Sequence, residues 1–326
     1  MPSKNDVYVG IDLGGTSIKA LAVDARHRIL AEEKLPTRAS LRPDRVIGDI
    51  AGLVIQAVNA AGRTRHNLRG VGIGAPGAID PKRGVVHEAP NLGWKEVPLG
   101  RDLKKLLRVP VMVDNDVNVG VMGEHALGAG GKTQEMVGIW VGTGIGGGII
   151  SRGKLYEGSH GGAGEVGHTV LVVDGPVCSC GRRGHAEALA SRTAMERDVR
   201  AAIKAGRKSV VLDIMKRKNK PRMTSSVIHA ALKKHDPLMR EVMQRAEYYL
   251  GVLVSNMVNL LGPERVVIGG GLAARLGESF VAPIRATALE YFLRPDDLRR
   301  VKVVPAALGD NAGALGAVIL ARQRLG

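Results

Sequence analysis

Short apolar runs that end in glycine or a carboxylate recur along this chain, and they read as strands. Val7 to Asp12 is the first, ending at Gly14-Gly15-Thr16. Ser17 to Val23 predicts a second strand, Asp24-Ala25 a turn and His27 to Leu30 a third, together an antiparallel meander. From Asp44 to Gly62 the apolar positions Val46, Ile47, Ile50, Leu53, Val54, Ala57 and Val58 recur at helical spacing, with Pro43-Asp44 opening and Gly62 closing the helix. GVGIGAPGAID, from Gly70, and VPVMVDND, from Val109, have the pattern of parallel strands whose carboxyl ends face a cleft.

The pattern then restarts. GIWVGTGIGGGII, Gly138 to Ile150, repeats the layout of Gly10 to Val23 after 128 residues: strand, glycine turn containing threonine, strand. Such a repeat predicts a duplicated α/β unit. Pro237 to Leu261 predicts a long helix stopped by Gly262-Pro263, and Arg265 to Ala273 a strand followed by three glycines. The C-terminal ALGDNAGALGAVILARQRL predicts a turn into a helix that docks on the first lobe.

At 326 residues, two domains or lobes are expected. Hydrophobic residues at 44% with aromatics at 3% mean a core of Ala, Val, Leu and Ile, and 44 glycines point to tight turns and close backbone approach. No run of apolar residues is long enough to span a membrane, and the N-terminus has no apolar signal segment, so a cytoplasmic location is expected. The net charge of +16 would attract polyanions. Its densest run, Lys216 to Arg222, has five basic residues in seven and no aromatic platform for bases, which favours a solvated loop over an RNA or polyphosphate contact.

Three glycine clusters follow strands: Gly14-Gly15-Thr16, Gly142-Thr143-Gly144 with Gly146 and Gly147 beyond, and Gly269-Gly270-Gly271. Their backbone N–H groups suit phosphate oxygens, and each turn is expected to lead into a strand or apolar run, unlike a Walker A loop or a dinucleotide fingerprint. Asp12, at a strand end beside the first turn, is placed to hold Mg²⁺ through water. Transfer of a phosphoryl group to an alcohol needs a carboxylate to take the proton, and Asp114 and Asp116 both qualify. The only cysteines, Cys178 and Cys180, lie 10 and 12 residues after His168, and His185 follows Cys180 by five. Two thiolates and two imidazoles fill a tetrahedral zinc shell, and Gly175, Gly181 and Gly184 allow the tight wrap.

Together these motifs resemble the ROK family of repressors, open reading frames and sugar kinases, in particular its glucokinase-like members, over about Val7 to Gly316. The resemblance implies an actin-like ATPase (ribonuclease H-like) α/β fold, duplicated as two lobes around a cleft. It implies a small lobe of residues 1–115 with the 310–326 helix packed back on it, and a large lobe of 116–309 containing the zinc loop. The implied activity is an ATP-dependent hexose kinase, a glucokinase in the first instance, using Mg²⁺ and a structural Zn²⁺. Fructose, N-acetylmannosamine, N-acetylglucosamine and allose are alternative acceptors, and polyphosphate is an alternative donor.

By the same resemblance Asp12, Gly14, Gly15, Thr16, Lys19, Gly142, Thr143, Gly144 and Gly146 lie on the phosphate side, with Gly269, Gly270 and Gly271 near the adenosine. Gly77, Asn91, Asn115, Glu165, His168 and Glu187 hold the sugar, and Asp116 rather than Asp114 is the catalytic base. His168, Cys178, Cys180 and His185 are the metal ligands; His185 stands where the family usually has a third cysteine. A homodimer or higher homo-oligomer is expected. A sugar-sensing repressor of the same family is the contrasting reading; such proteins carry an added N-terminal winged helix, for which a first strand at Val7 is expected to leave no room.

Overall fold

In the computed structural model, which describes residue 3, residues 5–294 and residues 296–325, strands and helices follow one another in a mixed order. They are β1 (Val7–Leu13), β2 (Ser17–Asp24), β3 (Ile29–Pro36), α1 (Pro43–Ala60), β4 (Leu68–Ala75), β5 (Ala78–Asp80), β6 (Val85–Ala89), β7 (Trp94–Val97), α2 (Leu99–Leu107), β8 (Val111–Asn115) and α3 (Asp116–Leu127). There follow β9 (Met136–Val141), β10 (Ile145–Ser151), β11 (Lys154–Leu155), α4 (Ala186–Ala190), α5 (Arg192–Lys204), α6 (Val211–Arg217), α7 (Ser225–Lys233) and α8 (Pro237–Leu261). The chain ends with β12 (Arg265–Gly269), α9 (Gly271–Leu276), α10 (Glu278–Glu290), α11 (Asp297–Arg300), β13 (Lys302–Pro305) and α12 (Ala312–Leu325). None of the described helices is long and apolar enough to cross a membrane.

The chain divides into two compact units. One runs up to Gly131 and includes Glu157–Gly162 and the chain from Asp310 onward; the other comprises Lys132–Tyr156 and Ala163–Gly309. The first unit therefore extends past residue 115 to take in α3, because α3 packs against α12 and the β4 strand.

The sheet of the first unit has the order β3-β2-β1-β4-β8. Strands β1, β2 and β3 form the antiparallel meander, while β4 and β8 run parallel to β1. On one side lies the apolar stripe of α1, where Val46, Ile50, Leu53, Val54 and Ala57 are buried against the β-strand residues Val9, Ile11 and Ile73. Each of the Val, Ile and Leu side chains contributes roughly 1.5–3 kcal/mol by leaving water. On the other side α12 lies so close that side chains are excluded: a Cβ on Gly10 or Gly72 would stand 1.9 or 1.8 Å from a carbonyl oxygen of α12. A Cβ on Gly316, within α12, would stand 1.6 Å from the Val119 oxygen of α3.

The second unit repeats the plan with the order β11-β10-β9-β12-β13: an antiparallel hairpin, then two strands parallel to its first member. Its core is separate, formed by Ile139, Val141, Val266 and Ile268 under the long helix α8 and helix α10. Topology thus reproduces the duplication expected from the two glycine turns.

Three details differ from the sequence reading. The third strand begins at Ile29 rather than His27, because His27 takes a left-handed φ of 62° in the turn. A small antiparallel sheet, β5-β6-β7, fills residues 78–97, a segment too short in its apolar runs to signal strands. The third glycine cluster opens a helix, α9, instead of leading into a strand or apolar run.

Candidate functional site

In the first unit, strand β8 ends at Asn115 and helix α3 begins at Asp116. Asn115 is the helix cap: its Oδ1 accepts the amides of Val117 (2.9 Å) and Asn118 (3.3 Å), while its Nδ2 donates to the Gly77 carbonyl at 3.1 Å. Capping satisfies orphan N–H groups at a helix start and fixes the direction of the next side chain. Gly77 has φ of 94°, and a Cβ there would lie 2.0 Å from the Glu88 oxygen, so only glycine lets this loop run beneath Asn115.

The two candidate bases differ in their surroundings, while burial raises the pKa of both. Asp114 is buried, and its Oδ1 accepts the Asn115 amide (2.7 Å) and the Asn118 side chain (3.0 Å), with Arg324 3.9 Å from Oδ2. Asp116 is half-buried, with Oδ1 accepting the amide of Val117. Burial, reinforced by the charge of Asp12, pushes its carboxyl up to about 6. Asp12 is itself pushed up by burial, against the attraction of Lys19 and with the repulsion of Asp310.

Lys19 faces Asp12 across the β1–β2 pair and is held by Glu32 at 3.0 Å and Asn311 Oδ1 at 2.8 Å. The hairpin between them closes with the Gly14 amide donating to the Ser17 carbonyl, and Thr16 is exposed. A Cβ on Gly15 would stand 3.3 Å from that of Asn91, which brings Asn91 to the same hairpin. Asp310 and Asn311 were not singled out in the sequence; only their place just before α12, which packs on β1, brings them to Asp12 and Lys19.

In the second unit, the turn between β9 and β10 is tight, the Gly142 amide donating to the Gly144 carbonyl at 2.9 Å. Gly146 lies beyond it, paired with Trp140 inside β10. Arg192, which the sequence reading passed over, donates its amide to Gly142 O and its guanidinium to Thr143 Oγ1 at 2.7 Å. Gly269 packs under the Trp140 ring, Gly270 has φ of 90° against Val141, and Gly271 begins α9 beside Ser225.

His168, Cys178, Cys180 and His185 place one ligand atom each within 4.8 Å of all the others. The two Nδ1 atoms are 3.3 Å apart, Cys178 Sγ lies 3.8 Å from His168 Nδ1, and Cys180 Sγ 3.3 Å from His185 Nδ1. Zinc bonds of about 2.05 Å to nitrogen and about 2.3 Å to sulfur give tetrahedral edges of about 3.3 Å for N···N and about 3.6 Å for N···S. The donor set therefore fits a tetrahedral zinc site, with His185 in the fourth position. The loop is held by the Cys178 amide donating to Arg182 O and the Gly181 amide to Cys178 O. His168 turns Nδ1 to the cluster and Nε2 toward Glu165, 4.0 Å away, and Glu165 is exposed.

Glu187 is already engaged within this unit. Its Oε1 accepts from Ser179 Oγ at 2.7 Å and from Cys178 Sγ at 3.3 Å, and its Oε2 accepts the Ile145 amide at 3.0 Å. Burial raises its pKa, but these hydrogen bonds outweigh it and leave the carboxyl below its ordinary value. In the basic run Lys216 and Arg217 end α6, Lys218 and Lys220 are exposed beyond it, and Arg222 pairs with Glu196 at 3.0 Å; burial and then the charge of Arg222 hold the Arg192 guanidinium below its ordinary pKa.

The sequence pattern of the ROK family matches residues 8–324. A glucokinase of Halalkalibacterium halodurans is 34% identical over 320 residues, covering 97% of this chain and 95% of that protein. The crystal structure of a ROK family glucokinase from Streptomyces griseus in complex with glucose and AMPPNP has a TM-score of 0.83 at 32% identity, covering 97% of this chain and 99% of that one. A xylose repressor of Caldicellulosiruptor bescii is 31% identical over 312 residues, 96% of this chain but 77% of the repressor. With its duplicated five-stranded sheets of actin-like ATPase type and a family match over nearly its whole length, the chain belongs to the ROK family.

Proposed function

We propose that the protein is an ATP-dependent hexose kinase that phosphorylates the 6-hydroxyl of glucose. The observation that carries this reading is Asp116: a half-buried carboxylate at the first position of a capped helix, raised to about 6, and so ionised at neutral pH yet more basic than an ordinary aspartate. Asp116 takes the proton of the attacking hydroxyl at its carboxylate. Gly77, Asn91, Asn115, Glu165, His168 and Glu187 are assigned to the sugar hydroxyls. Gly14, Gly15, Thr16, Lys19, Gly142, Thr143 and Gly144 are assigned to the phosphates, with Gly269 to Gly271 near the adenosine.

Amides of the two glycine turns and the Lys19 ammonium neutralise charge as the phosphoryl group moves. Asp12 would hold the Mg²⁺ that accompanies ATP, through water. The cluster of His168, Cys178, Cys180 and His185 would hold a zinc ion that supplies structure rather than chemistry, fixing His168 by its Nδ1 so that Nε2 faces a sugar hydroxyl. Similarity to a xylose repressor favours a second reading, a sugar sensor without turnover.

ADP release measured with MgATP against glucose, fructose, N-acetylmannosamine, N-acetylglucosamine and allose separates the two. Sugar-dependent turnover on glucose supports the kinase. Sugar binding with no turnover on any acceptor, with ATP or polyphosphate as donor, supports the sensor.

A further inference from the structure

The carboxylate of Glu187 joins two parts of the second unit that are far apart in sequence. One oxygen accepts from Ser179, which stands between the two cysteine ligands, and the other accepts from Ile145, the first residue after the glycine turn. A Cβ on Gly144 would stand 2.2 Å from Glu187 Oε2, so the carboxylate occupies the space beside the turn that a side chain at 144 would need. Arg192 also holds the turn, through Gly142 O and Thr143 Oγ1. Glu187 is thus the link from the metal loop to the turn, and α5 is its counterpart.

We propose that Ser179 is a positioning residue: held between Cys178 and Cys180, its hydroxyl fixes the Glu187 carboxylate and, through it, the Ile145 amide, so that the metal loop sets the geometry of the glycine turn. A serine side chain has a single rotatable bond to its oxygen, and reaching 2.7 Å requires that the backbone on both sides be in place. Ligation of Cys178 and Cys180 places it. A metal-bound cysteine is a thiolate and donates no hydrogen bond, so the Cys178 contact to Glu187 does not substitute for the serine in the loaded protein. The turn's part in binding nucleotide rests on the kinase reading above; the structural link does not.

The experiment compares the zinc-loaded protein with Ser179→Ala and Ser179→Thr by metal content, amide exchange and AMPPNP affinity. In Ser179→Ala, zinc stays bound at the wild-type ratio, and amide exchange over the segment containing Ile145 speeds up on the order of ten-fold, as expected for loss of a hydrogen bond to a charged group. AMPPNP affinity weakens by a similar factor, and Ser179→Thr restores both. Unchanged exchange at Ile145 in a zinc-loaded Ser179→Ala protein overturns the proposal. So does loss of zinc from that variant, because the hydroxyl would then act on the loop alone. Faster exchange in a protein that binds no AMPPNP even as wild type upholds the link and removes the kinase reading instead.

Discussion

Asn115 caps the helix whose first residue is Asp116, accepting the amides of Val117 and Asn118 while its own amide group holds the Gly77 carbonyl. The cap and the proposed base are consecutive residues, so the strand that ends at Asn115 decides where the Asp116 carboxylate points. Asn115→Ala removes the cap and the Gly77 contact together. A stability loss of about 1 kcal/mol is expected in thermal unfolding, with a larger proportional fall in kcat/KM for sugar because both sides of the loop lose their anchor.

Asp116 also makes the protein pH-sensitive in two ways. As the proposed base it must be ionised, so kcat/KM should rise with pH through about 6 and level off above it. Its effect on stability has the opposite sign. With a folded pKa above that of an ordinary aspartate, the native state holds this proton more tightly than the unfolded chain; the contribution is fully present below about pH 4 and lost as pH rises through 6. Asp116→Asn should therefore be inactive yet more stable than wild type at pH 8, by roughly 2–3 kcal/mol. Melting curves at pH 4.5 and pH 8 should show the gap narrowing in acid.

Metal binding should depend on His185 in a graded way. His185→Ala removes one of four proposed ligands, and dialysis against a chelator is expected to strip zinc from the variant but not from the wild type. His185→Cys supplies a third thiolate and should slow that loss. Zinc content after timed dialysis reads both.

Two glycines should respond in opposite directions. Gly316→Ala drives a Cβ to within 1.6 Å of the Val119 carbonyl, a backbone atom that cannot move aside, and should cost several kcal/mol or prevent α12 from docking. Gly52 is exposed within α1, with nothing within 4 Å of a Cβ, and Gly52→Ala should raise stability by about 0.5–1 kcal/mol. Urea titrations of the two variants check the contrast.

The elements with strong periodicity were legible in the sequence: β1, β2, α1 and α8 stand within a residue or two of their predicted ends. The duplication was legible too, since the two glycine turns with threonine mark equivalent hairpins. The gathering of His168, Cys178, Cys180 and His185 could be read because thiols and imidazoles at close spacing have few other uses in a chain with two cysteines.

What escaped depends on long-range packing. Asp310 and Asn311 reach Asp12 and Lys19 only because α12 crosses β1, and Arg192 reaches Thr143 only because α5 starts beneath the glycine turn. Asp114 and Asp116 could not be separated by residue type. The difference is that Asp114 turns inward to the Asn118 side chain and Arg324, whereas Asp116 starts a helix.

A coupled ADP-release assay on wild type and Asp116→Ala, with MgATP and glucose and with glucose affinity measured in parallel, is the experiment to do first. Glucose-dependent turnover that falls on the order of 10²–10⁴-fold in the variant, with glucose affinity little changed, is the expected result. A variant that keeps near-normal kcat would contradict the assignment of Asp116 as the base and the mechanism built on it.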